Sequence, residues 1–181
     1  VTVNNAISGS GIVANVGSGT LSLGGSSTFA SGLTVSNGPV RLTSSGAAGT
    51  GTLTVNNNAT LVVSGSGTII VPLVVSNGIL GSANMGTAAT GPAFATNDVT
   101  FVTNTTSTVF IADPQNLTGT SSSEVHITGA LRGGGDINVG GDAGHAIDAG
   151  AGFRLIATNK VSDYAGTITI SNSVKAELQT A

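Results

Sequence analysis

Residues 17–42 have the sequence GSGTLSLGGSSTFASGLTVSNGPVRL, and this stretch decides the fold. Short runs that alternate between apolar and small polar residues are separated by Gly, Ser and Asn. A period of two turns one set of side chains inward and leaves Thr and Ser outside, which is typical of β-strands. The stretch therefore predicts strands of about four to six residues joined by tight turns.

The same units recur along the chain. A Gly-x-Gly-Thr unit before a strand occurs as GSGTLSL from Gly17, GTGTLTV from Gly49 and GSGTIIV from Gly65. A second unit occurs as LTVSNGPV from Leu33, LVVSNGIL from Leu73 and, more weakly, ITISNSV from Ile168. Such degenerate repeats indicate a β-solenoid, in which each unit buries its apolar side only by stacking on its neighbours.

The dipeptides Asn37-Gly38 and Asn77-Gly78 allow two structures. Both residue types tolerate positive φ, so each dipeptide could form a two-residue hairpin or a solenoid corner. The irregular repeat spacing favours the corner. Hairpins would instead give an antiparallel β-sandwich, which is the alternative fold.

Composition excludes other fold classes. Gly, Ser, Thr and Asn fill 89 of 181 positions and charged residues only 7%, too few for the polar faces of amphipathic helices. Leu, Ile, Val and Phe number 48, above the level of disordered chains, and 31 of these are Val or Ile, which favour sheets. The chain is predicted to be all-β. Without cysteine it has no disulfide and no thiolate metal site.

The pattern predicts one domain, residues 1–181, with loop insertions near 82–97 and 140–152. Further strands are expected at 99–102, 109–111, 125–128, 137–139, 153–156 and 168–170. About fifteen strands, three to a coil, would give about five coils and a body roughly 25 Å long.

Residues 17–42 resemble the autotransporter-associated β-strand repeat of bacterial surface proteins. The resemblance lies in Gly-x-Gly-Thr-Leu, an aromatic at Phe29, then Gly and a Thr-Val strand; Tyr164 in DYAGTITISN takes the aromatic position again. It implies a right-handed parallel β-helix exported to the cell surface, with no catalytic residues in the repeat. Pro39 and the middle third of the chain depart from the family pattern.

No catalytic, cofactor or metal residues are predicted. His126 lies at an alternating strand position and His145 in a Gly-rich loop, and Ser never occurs in a nucleophile elbow. The eight acids are mostly isolated in sequence: Asp98, Asp113, Glu124, Asp136, Asp142, Asp148, Asp163 and Glu177. Stacking could bring two of them together as a glycosidase pair, but the sequence offers no reason to propose one.

Residues 133–148, GGGDINVGGDAGHAID, are the one candidate for calcium. Their Asp residues recur every six positions, whereas calcium-binding β-helix repeats have nine, so the expected role is a Gly-rich turn. Three Asn-x-Thr sequons begin at Asn58, Asn104 and Asn116. Stacked Asn and Thr ladders are their expected role.

The number of basic residues and the sequence at the two chain ends predict which partners the chain has. Five scattered basic residues exclude nucleic acid, and Gly, Ser and Pro interrupt residues 61–80 too often for a membrane span. Val1-Thr2-Val3 opens as strand with no leader, so the chain is expected to be processed or excised. Residues 174–178 are strand-like, and only Lys175 and Glu177 protect that edge.

Two function classes remain. The first is a non-enzymatic extracellular structural subunit of a bacterial surface filament or stalk. It would join copies of itself end to end, or the rest of a larger surface protein, through uncapped strand edges. The second is an autotransporter-type adhesin whose loops at 82–97 and 140–152 bind a host or glycan ligand.

Overall fold

The computed structural model describes residues 1–83, 94–110, 124–140, 152–157, 163–171 and 175–180. These residues contain strands and no helix, so the all-β prediction is confirmed. In chain order the strands are β1 (Thr2–Val3), β2 (Val13–Asn15), β3 (Leu21–Leu23), β4 (Leu33–Val35), β5 (Val40–Leu42), β6 (Leu53–Asn56), β7 (Thr60–Ser64), β8 (Leu73–Ser76), β9 (Ile79–Ala83), β10 (Val99–Phe101), β11 (Thr106–Phe110), β12 (Glu124–Ile127), β13 (Leu131–Gly133), β14 (Asp136–Gly140), β15 (Gly152–Ala157), β16 (Ile168–Ile170) and β17 (Lys175–Thr180).

The strands form three sheets in which every pairing among the described residues is parallel. An eight-stranded sheet has the order β1-β3-β5-β7-β9-β11-β14-β16, a six-stranded sheet the order β13-β10-β8-β6-β4-β2, and a three-stranded sheet the order β12-β15-β17. Through β11 successive strands alternate between sheets, so each pairs with a strand one coil away. This is consistent with a β-helix. An antiparallel sandwich is not supported, because it needs antiparallel neighbours.

The Asn-Gly dipeptides lie at corners, as the repeat spacing favoured. Asn37-Gly38 separates β4 from β5, and Asn77-Gly78 separates β8 from β9; in each case the two strands belong to different sheets. Asn77 has a φ of 54°, the left-handed region that Asn tolerates. At the other corner the Gly38 amide donates to the Gly17 carbonyl at 2.7 Å, so the two backbones approach too closely for a side chain.

Measured along the six-stranded sheet, the coils have one constant length in the first part of the chain and grow longer after it. In the six-stranded sheet Val13 pairs with Leu33, Leu33 with Leu53, and Leu53 with Leu73, so the step in residue number is the same each time. The step then lengthens twice, since Leu73 pairs with Val99 and Val99 with Leu131. Leu33, Leu53 and Val99 are fully buried, so this column of inward side chains forms part of the core.

The predicted dimensions are wrong. Eight stacked strands at about 4.8 Å make the long sheet about 34 Å high, more than the predicted value of roughly 25 Å. Early coils contain two strands rather than three, because their third side is held by isolated backbone hydrogen bonds. The Thr28 amide donates to the Ile7 carbonyl at 2.8 Å, and the Thr50 amide to the Phe29 carbonyl at 3.1 Å. Further along the chain this side has two isolated parallel β-bridges, one between Ile69 and Ala95 and one between Ala95 and Ile127 of β12.

The three Gly-x-Gly-Thr copies do not occupy equivalent places. The copy from Gly17 leads into β3 of the eight-stranded sheet, and the copy from Gly49 into β6 of the six-stranded sheet. The copy from Gly65 leads to Ile69 on the third side. Their spacings are not multiples of the coil length, so the motif marks entry into a strand on whichever side the chain has reached.

The predicted loop bounds need correction. Ser82 and Ala83 are buried and belong to β9, because they continue its pairing with β7. Phe94 and Ala95 are fully buried, with Ala95 bridging two coils. Gly140 likewise ends β14 and Gly152 begins β15. Thr96 and Asn97 also hydrogen-bond to the coil before, through the Ile69 and Ile70 carbonyls. Of the two predicted loops, residues 84–93 and 141–151 lie outside the described residues.

Candidate assembly face

The first coil covers its apolar side chains less completely than the coils that follow it. Its inward residues Val3 and Val13 are only partly buried, whereas their partners in the next coil, Leu23 and Leu33, are buried. The difference arises because every inner coil has a neighbour on both sides and the first coil has one. Val1, Ile12 and Val16 add exposed apolar surface to this coil, with 88%, 59% and 70% of their side chains exposed.

The exposed side of the first coil is also the edge of two sheets. Strand β1 ends the eight-stranded sheet and β2 ends the six-stranded sheet. Both are bonded on their inner side: the Ser22 amide donates to the Val1 carbonyl at 2.8 Å, and the Val13 amide donates to the Gly32 carbonyl at 3.0 Å. Their outer sides offer the remaining backbone groups to a further strand. We call residues 1–21 the assembly face.

Side-chain amides brace this face from within. Asn15 donates through Nδ2 to the Gly19 carbonyl at 3.1 Å and to the Pro39 carbonyl at 3.0 Å, linking the first coil to the second. Asn37 donates in the same way to the Val16 carbonyl at 3.2 Å. An open depression of about 330 Å³ lies beside β2. It is lined by Val1, Ala14, Asn15, Gly19, Thr20 and Leu21.

The opposite end carries charged side chains. Arg132 on β13 donates from Nε to Asp98 Oδ2 at 2.7 Å, and its Nη1 lies 3.2 Å from Asp163 Oδ1. The three residues belong to successive coils, so the guanidinium joins them along the stack. The hydrogen bond and charge of Asp98 raise the pKa of Arg132 above its ordinary value. The group therefore stays protonated and acts as an ion-pair brace.

Tyr164 fills the interior next to this brace. Its ring meets the Phe101 ring edge to face, with centroids 6.4 Å apart, and its hydroxyl donates to the Gly135 carbonyl at 2.7 Å. Gly133, which pairs with Phe101, has no side chain that would block the contact between the two rings. Burial, and secondarily the charge of Asp136, raises the pKa of Tyr164 to about 12. Sequence reasoning did not predict this contact, because it depends on coil lengths that the repeats do not reveal.

The residues weighed for catalysis and calcium hold structural positions where they are described. His126 is 5% exposed in β12, and its carbonyl accepts the Phe94 amide at 3.0 Å. Asp136 begins β14 and accepts the Thr167 amide of the next coil at 2.9 Å through Oδ1, so this contact joins two coils and is not a hydrogen bond within a turn. His145 and the rest of the calcium candidate lie outside the described residues.

Stacking does bring two distant acids together. Asp98 and Asp163 flank the same guanidinium, so their charges are compensated by Arg132 and the arrangement differs from an open acid pair. Among the residues that the structure describes, no three His, Asp or Glu side chains gather in a way that could hold a metal ion. The described part of the chain also contains no helix long and apolar enough to cross a membrane.

Two of the three sequons begin at residues in left-handed backbone conformations. Asn58 has a φ of 60° and Asn104 a φ of 63°. Both positions suit Asn for a backbone reason. The third sequon, at Asn116, lies outside the described residues.

Comparison of the chain with protein-family models, with curated proteins and with solved structures found no match. The resemblance of residues 17–42 to the autotransporter-associated repeat stays a prediction. The candidate site is therefore defined by its geometry: an apolar end coil without charged side chains and with two strand edges.

Proposed function

We propose that this chain is a non-enzymatic structural subunit or segment of an extracellular bacterial filament or stalk, built as a right-handed parallel β-helix. It self-associates through the uncapped strand edges of the assembly face. The observation that carries the proposal is the exposure of Val1, Ile12 and Val16 on the coil that also ends two sheets.

The proposal rests on two energetic terms that act on the same face. Covering an exposed aliphatic side chain gains roughly 1.5–3 kcal/mol before the costs of association. A docking strand would also satisfy the outer backbone groups of β1 and β2, the mode of recognition known as strand addition. Apolar surface beside a strand edge favours a β-rich partner over a small ligand.

A role in carrying tension follows from the direction of the bonds. The hydrogen bonds between coils join residues one coil apart, as from the Ser36 amide to the Asn15 carbonyl at 3.1 Å and from the Thr43 amide to the Leu23 carbonyl at 3.0 Å. They run along the stack on all three sides, so tension applied along it is shared among many parallel bonds. Such a body suits a stalk, and a joined edge would continue the same ladder into the next copy.

Self-association can be tested with two matched variants. Ile12 is 59% exposed on the assembly face, and Ile70 is 48% exposed in the middle of the stack. We expect light scattering and electron microscopy to show concentration-dependent assembly of the native chain. Ile12→Asp should weaken it about tenfold or more by placing a charge in an apolar contact, and Ile70→Asp should leave it unchanged. A chain that stays monomeric at all concentrations contradicts the proposal.

One observation favours the adhesin as a second candidate. Three long connections, 84–93, 111–123 and 141–151, follow successive strands β9, β11 and β14 of the eight-stranded sheet and precede the third side. The corresponding connection of an earlier coil, between β7 and Ile69, consists only of 65–68. Insertions repeated at one corner are typical of a binding face in repeat proteins.

The adhesin candidate has its own test. Replacing residues 84–93 with a short Gly-Ser linker keeps β9 and the buried Phe94 and Ala95 intact. In an adhesin this change should abolish binding to a glycan array or to host cells and leave assembly unchanged. Loss of assembly without any measurable ligand binding would count against it.

A further inference from the structure

The two Asn-Gly corners have a chemical reactivity of their own. Asn37-Gly38 and Asn77-Gly78 are the two Asn-Gly dipeptides of the chain, and each follows the same Val-Ser pair. Both asparagines are exposed. Because glycine has no side chain to shield its amide nitrogen, this nitrogen can approach and attack the side-chain carbonyl of the asparagine before it. The two corners share this local chemistry, so their surroundings decide how fast each one reacts.

At the first corner both reacting groups are held by hydrogen bonds. Asn37 donates through Nδ2 to the Val16 carbonyl at 3.2 Å, and the Gly38 amide donates to the Gly17 carbonyl at 2.7 Å. Pro39 follows directly and restricts the backbone of the glycine before it. Cyclisation at this corner would break two hydrogen bonds to the neighbouring coil.

At the second corner the same groups are held less firmly. The Asn77 side chain makes no hydrogen bond with another described residue. The Gly78 amide donates to Ser107 Oγ at 3.3 Å, beyond the usual range for such bonds. Asn77 also has a φ of 54°, a left-handed conformation that is unfavourable for an L-residue and that Asn37 does not share. Turning the side chain of Asn77 toward the Gly78 nitrogen therefore costs less than the same movement at Asn37.

We propose that Asn77-Gly78 is a site of spontaneous deamidation in the folded protein, and that the matching corner at Asn37-Gly38 is protected. The Gly78 nitrogen loses its proton to solvent base and bonds to Asn77 Cγ, while the Cγ–Nδ2 bond breaks and Nδ2 leaves with a proton as ammonia. Water then opens the resulting succinimide ring. Opening at Cγ gives aspartate, and opening at the main-chain carbonyl carbon gives isoaspartate.

Either product changes the junction between β8 and β9. Both add a negative charge to a corner whose Asn77 carbonyl accepts the Asn58 amide of the coil before at 2.6 Å. In isoaspartate the main chain runs through Cγ and is one carbon longer, and the former carbonyl becomes part of a free carboxylate. The hydrogen bond between the two coils is then disturbed. The inference does not depend on the proposed self-association, because these contacts lie in the middle of the stack.

Mass spectrometry of the incubated native chain tests the site. The chain is kept in warm, mildly alkaline buffer and digested with a protease of broad specificity, and the peptides that contain residues 37 and 77 are compared for conversion of the amide to a carboxylate. One hydrogen bond that must break first slows cyclisation about fivefold, so Asn77 should convert at least about fivefold faster than Asn37. In denaturant the two rates should become similar, because the Val-Ser-Asn-Gly sequence is the same.

Ser107→Ala is the matched variant. It removes the acceptor of the Gly78 amide, so Asn77 should convert about fivefold faster than in the native chain. Asn37, two coils away, is the internal reference for any general loosening of the fold, and its rate should stay the same. The proposal is overturned by a folded chain in which Asn37 converts as fast as Asn77, or in which neither converts in a time that suffices for both in denaturant. An equal acceleration at both asparagines in Ser107→Ala would also count against it.

Discussion

Leu33 and Leu73 stand in one column of the six-stranded sheet, two coils apart, with Leu53 paired to both. The spacing between LTVSNGPV and LVVSNGIL is therefore twice the length of a coil. All three leucines are almost completely buried. This column shows how the chain gains stability from repetition: each inward side chain is covered by the equivalent residue of the coils on either side.

Truncating the middle member tests that stacking. Leu53→Ala should lower the free energy of unfolding by about 2–5 kcal/mol, because it leaves a cavity between Leu33 and Leu73. Thr54→Ala, at the neighbouring outward position, should change it by less than about 0.5 kcal/mol. Chemical denaturation monitored by circular dichroism measures both. Equal losses for the two variants would mean that the column carries no special share of the stability.

Gly133 should tolerate no side chain. Its φ is 87°, and a Cβ there would overlap the carbonyl oxygen of Phe101 on the adjacent strand. Gly133→Ala should therefore cost at least about 1 kcal/mol in denaturation experiments. Gly19→Ala is the control, since a Cβ at Gly19 meets nothing within 4 Å. A tolerated Gly133→Ala would contradict the close approach of the two coils.

Local patterns predicted what depends on neighbours in sequence. The alternation around Leu33 and Leu73 indicated the strands and their inward side chains, and Asn77-Gly78 indicated a corner because φ preferences are local. Alternation also assigns Val62 to the side of its sheet opposite Leu61, yet Val62 is fully buried. A period of two determines on which side of the sheet a side chain lies. It does not determine whether other residues cover that side.

Coil length was the quantity that local patterns did not contain. The copies of Gly-x-Gly-Thr suggested equivalent positions, but Gly17, Gly49 and Gly65 precede three different sides of the stack. Without the number of residues in each coil, the contacts between coils cannot be predicted from the sequence. Asp98 meets Arg132 only because the neighbouring Val99 pairs with Leu131 of the next, longer coil. The charged end and its contrast with the assembly face therefore came from the structure.

Two buried serines should respond oppositely to loss of the hydroxyl. Ser82 is fully buried and its Oγ has no hydrogen-bond partner among the described residues, whereas Ser107 is 1% exposed and its Oγ accepts the Gly78 amide at 3.3 Å. Ser82→Ala should raise the free energy of unfolding by about 1 kcal/mol, and Ser107→Ala should lower it by a similar amount. Thermal and chemical denaturation of the pair provide the measurement. A destabilised Ser82→Ala would show that its hydroxyl has a favourable role.

Stability should fall at high pH through the sole tyrosine of the chain. Tyr164 has a pKa of about 12 in the folded protein, above its ordinary value of 10.0, because burial disfavours the charged phenolate. Below pH about 10 both states are protonated and the residue adds no pH dependence. As the pH rises from about 10 to about 12 the unfolded chain loses the proton first, so the free energy of unfolding decreases.

The variant Tyr164→Phe isolates this effect. It keeps the ring against Phe101 and removes the ionisable hydroxyl, so the part of the alkaline decrease that comes from Tyr164 should disappear. The variant should also lose about 1 kcal/mol at neutral pH, since the Gly135 carbonyl loses its hydrogen bond. Ultraviolet absorbance reports the ionisation of this one phenol directly. A midpoint near 10 in the folded protein, or an unchanged alkaline slope in Tyr164→Phe, would contradict the burial of Tyr164 at this end of the stack.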